Sequence, residues 1–371
     1  YRNDVNNGGY NIIGDNQNLT AGTIRTHSGN PYLRWEQTQQ TNVGLDAAFL
    51  SSRLLFEIDL FNKQTRDMLY EPAYAAVLGE GGYSFQNVAA MNNKGIEFNL
   101  SWRDSKDDFS YEISFNGSLN KNRITELPEQ VYYTWGCGNG DNITNVGHPL
   151  GSWLGYKTDG LFRTQAEVDD YMSRYQVQYG APGVGRIRYA DTNGDNVINA
   201  KDRIFMGSDQ PKFIGGLNFS ANWKGFDLSL FFNGMVRQAW NNSKFYTNLW
   251  AYWSGNHSTR LLEAYDAWEN YEKTGRYDSD IPALTTSGSN NENGSSDFFV
   301  ENGSYLKLKT LTLGYTLPEK VLEKCHLRNL RVYLQAQNLF TITSYTGADP
   351  EGLGFPYPIP RTFTFGLSVG L

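Results

Sequence analysis

The chain has 371 residues, with 39 acidic and 32 basic side chains, a net charge of −7 and no basic stripe, which argues against nucleic acid as a partner. Mean hydropathy is −0.53, and no apolar run approaches the ~18 residues a membrane-crossing helix needs, so that class of protein is excluded. A membrane β-barrel escapes this test because polar lumen residues dilute each strand, and 38 glycines, 12 prolines and 15% aromatics suit strands joined by many turns.

Residues 1–40 are rich in Asn, Gly and Thr, show no sustained period and read as a loop. Alternation then begins. Val43, Leu45, Ala47 and Phe49 lead, and Leu54, Phe56, Ile58 and Leu60 follow a short turn. Ile96, Phe98, Leu100 and Trp102 form the next strand, and Phe109, Tyr111, Ile113, Phe115 and Leu119 its partner. Further pairs fall at Phe213–Trp223 with Phe226–Phe232, and at Tyr305–Leu317 with Asn329–Phe340. The closing run Arg361–Leu371 alternates Phe363, Phe365, Leu367, Val369 and Leu371 with small or polar residues, long enough to cross a bilayer at a tilt. Between Leu308 and Leu311 the apolar phase slips by one, which predicts a bulge near Thr310.

Strands are therefore expected near 41–63, 95–119, 213–236, 304–340 and 361–371, about nine in all, with loops at 1–40, 64–94, 120–212, 237–303 and 341–360. Short connections at 51–53, 103–108, 224–225 and 318–328 alternate strictly with the long ones. That asymmetry, with Trp102, Phe109, Trp223 and Phe226 flanking short turns, predicts an all-β fold: part of a transmembrane antiparallel β-barrel with long extracellular loops. On this topology Cys137 and Cys325 lie on opposite sides of the membrane and do not pair. The competing reading is a soluble carbohydrate-binding β-sandwich with a structural calcium site, whose strands would be shorter and whose long loops would not gather at alternate connections. No signal peptide precedes Tyr1, so the chain is expected to be a piece of a longer protein.

Several segments resemble the SusC/RagA family of TonB-linked outer-membrane transporters. They are Tyr32–Thr38, Asn93–Asn99, Tyr156–Phe162, Asp191–Asp195, Gln337–Phe340, Gly347–Glu351 and Pro360–Gly366, in the family's order. The resemblance implies the C-terminal part of a barrel that has 22 strands in the family, located in the outer membrane of a Gram-negative, Bacteroidota-like cell. It further implies an N-terminal plug absent from this chain, the remaining barrel strands, TonB as energy source acting through that N-terminal part, a SusD-like surface lipoprotein as lid, and glycans or peptides as cargo. Nine strands leave two open edges, which the rest of the barrel must close.

Asp191-Thr-Asn-Gly-Asp-Asn-Val-Ile-Asn-Ala-Lys-Asp202 spaces hard oxygen donors as a calcium loop does. Asp191, Asn193, Asp195 and Asp202 would ligate through side chains and Val197 through its carbonyl, in a structural role. Asn196 replaces the usual glycine and Asp202 the usual glutamate; the alternative is an Asp/Asn/Gly turn closed on itself. The segment Thr164-Gln-Ala-Glu167 opens a helix carrying Val168, Tyr171, Met172 and Tyr175 on one face, and 258–273 a second with Leu261, Leu262, Tyr265 and Trp268. Candidate substrate- or partner-facing loop aromatics are Tyr132, Tyr133, Trp135, Trp153, Trp240, Trp250, Tyr252 and Trp253; the alternative for each is loop packing. Lumen-lining candidates on the polar strand faces are Asn99, Glu112, Asn116, Asn218 and Gln335. His27, His148, His257 and His326 show no metal-ligand spacing, and no nucleophile elbow or phosphate loop occurs, so no enzyme is expected.

Overall fold

The computed structural model describes residues 4–13, 18–27, 29–70, 85–128, 131–134, 141–241, 244, 259–285, 292, 294–323, 327–352, 357 and 359–370. Its main body is one antiparallel sheet of nine strands in sequence order. These are β1 (Gln37–Phe49), β2 (Leu54–Tyr70), β3 (Gln86–Lys106), β4 (Phe109–Glu126), β5 (Phe213–Trp223), β6 (Phe226–Val236), β7 (Tyr305–Thr316), β8 (Asn329–Thr343) and β9 (Thr362–Gly370). Outer strands β1 and β9 do not pair with one another, so among the described residues the wall is open at both edges.

Register places the apolar set on a single face. Leu45, Ile58, Phe98, Gly117, Gly215, Gly234 and Leu306 stand in one row across seven strands. Where that row is bare at Gly117 and Gly215, the rings of Phe98, Phe115 and Phe213 close over it, 5.4–6.5 Å apart. Among the described residues little covers this face; Phe365 is 75% exposed, Phe363 and Val43 each 66%. At the short-turn end Phe109, Trp223, Phe226 and Tyr315 follow one another across β4–β7, the aromatic belt expected at a membrane interface.

The hairpin turns are set by left-handed residues. Lys224 and Gly225 have φ of 47° and 87°, as a two-residue turn of the hairpin type requires. Asp107 takes φ 54°, so the turn between β3 and β4 is only 107–108, and β3 runs on through 103–106 of the expected 103–108 turn. Lys309 is the residue skipped in both registers of β7, since Leu308 pairs with Phe232 and Phe340 and Thr310 with Phe231 and Gln337. The expected bulge is thus present, one residue before Thr310.

Two expectations are corrected. Residues 1–40 are not all loop, because Asp4–Ile13 and Asn18–His27 form an antiparallel hairpin. Its register slips between Asn7 and Tyr10, at Gly8-Gly9, which breaks the alternation a strand would show in sequence. Strands β2, β3 and β4 also reach well past the expected limits of 63, 95 and 119. Beyond the row Leu60–Ile96–Leu119 the lipid-side face turns polar at Asn62, Lys94 and Lys121, and the other face mixes Phe61, Met91 and Ile124 with Lys63, Asn93 and Asn122, so hydropathy carries no regular period there.

The long connections 127–212 and 237–304 fold together into a loop domain. It holds the helices α1 (Gln165–Arg174) and α2 (Leu261–Thr274), and a four-stranded sheet ordered 203–207, 152–156, 141–144, 131–134. Its core joins Phe162, Val168, Tyr171, Ile187, Tyr189 and Ile198 from the first connection to Ala267, Tyr277 and Ala283 from the second. Buried tyrosines find backbone acceptors, Tyr171 on Tyr189 O at 2.6 Å and Tyr277 on Ile281 O at 2.6 Å. Thr164 caps α1 by accepting from the Glu167 N–H, while the Glu167 carboxylate reaches the Arg163 N–H, one residue before the position a reciprocal box would use.

The helix faces differ from expectation. On α1 Val168 and Tyr171 are buried and Tyr175 packs against the core, but Met172 is 60% exposed. On α2 Leu261, Ala264 and Ala267 face inward, leaving Leu262, Tyr265 and Trp268 at 61%, 52% and 39% exposure. Small alanines let the helix approach closely, so the bulky residues turn outward.

Candidate functional site

The polar face of the wall forms a groove of about 600 Å³ across β2–β6. Asn99, Asn116 and Asn218 line it together with Glu57, Asp59, Glu97, Ser114, Ser118 and Asn233. Asn99 donates to Glu57 Oε2 at 3.1 Å and accepts from the Ser114 hydroxyl at 3.2 Å; Ser101 donates to Ser114 at 2.9 Å. The other two lumen candidates share the polar face and stand apart from the groove. Glu112 lies opposite Arg103 and Ser220 toward the short turns, and Gln335 lies between Thr312 and Thr364 near the far edge. Glu57 and Asp59 were missed as lining residues, although they alternate with Phe56, Ile58 and Leu60 and carried the same signal.

At the long-loop end a tether crosses this face. Lys307 is 3% exposed and donates to both oxygens of Asp349, at 3.1 and 3.2 Å, and to Glu351 at 2.9 Å. Lys309, the bulge residue, donates to both Glu351 oxygens, and Arg237 holds the Pro350 and Glu351 carbonyls. The segment Gly347–Glu351 is thereby pinned to β7. Burial would raise the Glu351 carboxyl, but the Lys309 and Lys307 ammoniums hold it below the usual glutamate range. Glu301 behaves alike: burial opposes ionisation, and Lys244 at 2.8 Å with the Thr346 N–H at 2.9 Å outweighs it. Glu292 is opposite in sign, its carboxyl pushed up by burial despite Arg186 at 2.8 Å and the Ile187 N–H at 3.0 Å.

Among the loop aromatics, Trp153 and Trp240 are corrected as exposed binding faces. They are 3% and 6% exposed and pack 5.8 Å apart, with Phe299 and Met206, as a second core of the loop domain. Tyr132 and Tyr133 lie on the strand 131–134, opposite Ile143 and Asn142. Trp135, Trp250, Tyr252 and Trp253 lie outside the described residues, as do Cys137 and Cys325.

The Asp191–Asp202 loop folds around its own acidic side chains. Asp191 accepts from the Gly194 and Asn196 N–H groups, Asn193 from Asp195, and Asp195 from Val197, at 2.7–2.9 Å. Asn196 adopts the left-handed φ of 60° that position six of a calcium loop demands. Slight desolvation would raise the Asp191 carboxyl, but the N–H donors of Asn196, Gly194, Asp195 and Asn193 hold it below the ordinary aspartate range. Asp202 is fully buried and closes the loop by accepting from the Thr192 and Asn199 N–H groups at 2.9 and 2.8 Å. Donor chemistry and backbone shape fit calcium. Among the described residues, however, no three His, Cys, Asp or Glu side chains converge as a metal site.

A sheet whose strands have one uncovered apolar face, one polar face and alternating short and long connections defines a segment of an outer-membrane-type β-barrel wall. The chain belongs to the TonB dependent receptor-like β-barrel family, whose model matches residues 2–339; receptors of this family sit in the outer membrane of Gram-negative bacteria. It is 31% identical to TonB-dependent receptor P3 of Formosa agariphila over 97% of this chain and 36% of that receptor. It is 28% identical to TonB-dependent receptor SusC of Bacteroides thetaiotaomicron over 94% of this chain and 33% of SusC. Among solved structures it resembles the RagAB peptide importer in its closed-closed state, with TM-score 0.75 and 26% identity, covering 100% of this chain and 39% of the other. A second structure, of the RagAB peptide transporter, gives TM-score 0.76 at 25% identity over 39% of its chain. The chain thus spans about a third of the curated relatives it matches.

Proposed function

We propose that this chain supplies the C-terminal barrel wall and loop domain of a SusC/RagA-type TonB-dependent importer, which takes up glycans or peptides beneath a SusD-like surface lipoprotein. The observation that carries the reading is the two-faced wall: an apolar face left uncovered behind a polar groove across β2–β6. In this reading cargo is captured between the lid and the loop domain. The plug, borne by the rest of the protein, is then displaced when TonB pulls on it. Amide and hydroxyl groups in the groove, from Asn99, Asn116, Asn218 and Ser114, suit the hydroxyls of a sugar or the backbone of a peptide. Glu57, Asp59 and Glu97 disfavour anionic cargo. The outward aromatic face of α2, with Tyr265 and Trp268, offers the lid a contact surface.

The test is extraction of native membranes in detergent, capture of this chain, and mass spectrometry of what accompanies it. A plug-bearing segment together with a SusD-like lipoprotein is expected. Recovery of the chain alone and folded in the aqueous wash would overturn the reading in favour of a soluble sugar-binding sandwich.

Structural calcium belongs to the same proposal. Asp191, Asn193, Asp195, the Val197 carbonyl and Asp202 would hold it, and the ion would stiffen the loop against the buried Ile198. Titration calorimetry of the whole receptor should show one site lost in Asp195→Ala. Identical heats with and without that substitution would reduce the loop to a self-closed turn.

A further inference from the structure

On the uncovered face the apolar band ends abruptly toward the long loops. Its last row runs Val43, Leu60, Ile96, Leu119. One step further the same face carries Thr41, Asn62, Lys94 and Lys121, and a second step carries Gln39, Gln64, Asn92 and Arg123. Registers are unbroken over this stretch, so these side chains project to the same side as Leu60 and Ile96, away from the lumen. Arg66, two residues beyond Gln64, continues the series.

Gln64, Arg66, Asn92, Lys94, Lys121 and Arg123 line one concave site of about 600 Å³. Arg66, Lys94, Lys121 and Arg123 are all exposed, and none of them forms an ion pair among the described residues. Arg66 donates to Gln64 at 3.1 Å; Glu126 is the acidic residue at the upper rim. Lys94 and Lys121 are directly opposed across β3 and β4, an arrangement of like charges that destabilises a sheet unless an anion lies between them. The lumen groove has the reverse character, with Glu57, Asp59 and Glu97.

We propose that this cluster clamps the phosphate groups of an outer-leaflet glycolipid whose acyl chains lie along the apolar rows beneath it. Charge selects phosphate, and location selects lipid over a soluble anion, because the cations begin where the lipid-facing band stops, at headgroup depth. The inference rests on the barrel-wall architecture and not on the cargo or lid assigned to the transporter.

Native mass spectrometry of the whole receptor in detergent tests it, with bisphosphorylated hexa-acyl lipid A, the same lipid after phosphatase treatment, and inorganic pyrophosphate as probes. The phosphorylated lipid should bind, and dephosphorylation should weaken binding roughly tenfold or more. The K94Q/K121Q/R123Q variant should lose the same factor while remaining a folded, membrane-extracted receptor. Equal binding of both lipids overturns the proposal, as does unchanged binding in the variant. Displacement by equimolar pyrophosphate would also overturn it, making this a soluble-anion site. The phosphatase comparison uses unaltered protein and decides the matter even if the variant fails to assemble.

Discussion

Gly314 sits in β7 between Asp227 on β6 and Arg331 on β8, where any side chain would collide with the ion pair that joins those strands over it. Gly314→Val should therefore separate the bidentate pair and lower barrel stability by about 1.5–3 kcal/mol, measured by denaturant unfolding in detergent. Sequence alternation puts Gly314 on the polar face. The reason it is bare depends on partners 87 residues before and 17 after it, which only register reveals. The Gly347–Glu351 tether gives a pH prediction. Glu351 has a folded pKa below its unfolded value, so its stabilisation is complete above the ordinary glutamate range of about 4.3 and is lost as pH falls through the lower folded value. Protection of 344–352 against limited proteolysis should be constant near neutrality and be lost only in acid below the ordinary glutamate range. Unchanged protection at neutral pH in a K307M/K309M variant would show that Lys307 and Lys309 are not what holds the segment.

At the scale of elements, the loop domain depends on contacts between its two parent connections. Trp153 comes from the first and Trp240 and Phe299 from the second. Trp240→Ala should cost about 3–5 kcal/mol and expose the loop domain to protease, while the barrel keeps its resistance to detergent and heat. Trp153 and Trp240 looked like binding aromatics because a loop tryptophan has no periodicity to betray its burial. The α2 face makes the complementary point. Leu262→Asp should change stability by no more than about 0.5 kcal/mol, and Ala264→Asp should unfold the helix from the core, as followed by hydrogen exchange of 261–274. Helical spacing is shared by both faces of α2, so the sequence could not say that Leu261 and the alanines, and not Leu262 and the aromatics, face inward.

For the whole molecule, the open edges at β1 and β9 present unpaired backbone groups that lipid cannot satisfy. The 371-residue chain refolded by itself in detergent should associate through these edges, and co-refolding with the remaining strands of the receptor should give a closed, heat-modifiable monomer. A stable monomer of this chain alone, by light scattering, would contradict the wall architecture.

The order of strands, their two faces, the alternation of short and long connections and the bulge beside Thr310 were legible in the sequence. Each is a local property of period-2 hydropathy and turn chemistry, and a single strand carries its own record of which side meets lipid. The hairpin at 4–27, the polar upper halves of β2–β4, the joint core of two distant connections and the tether from Asp349 and Glu351 to β7 were decided by tertiary structure. Those features depend on which residues meet across the sheet or across more than a hundred positions of chain. Where neither face is apolar, or where partners lie far apart, hydropathy leaves no pattern to read.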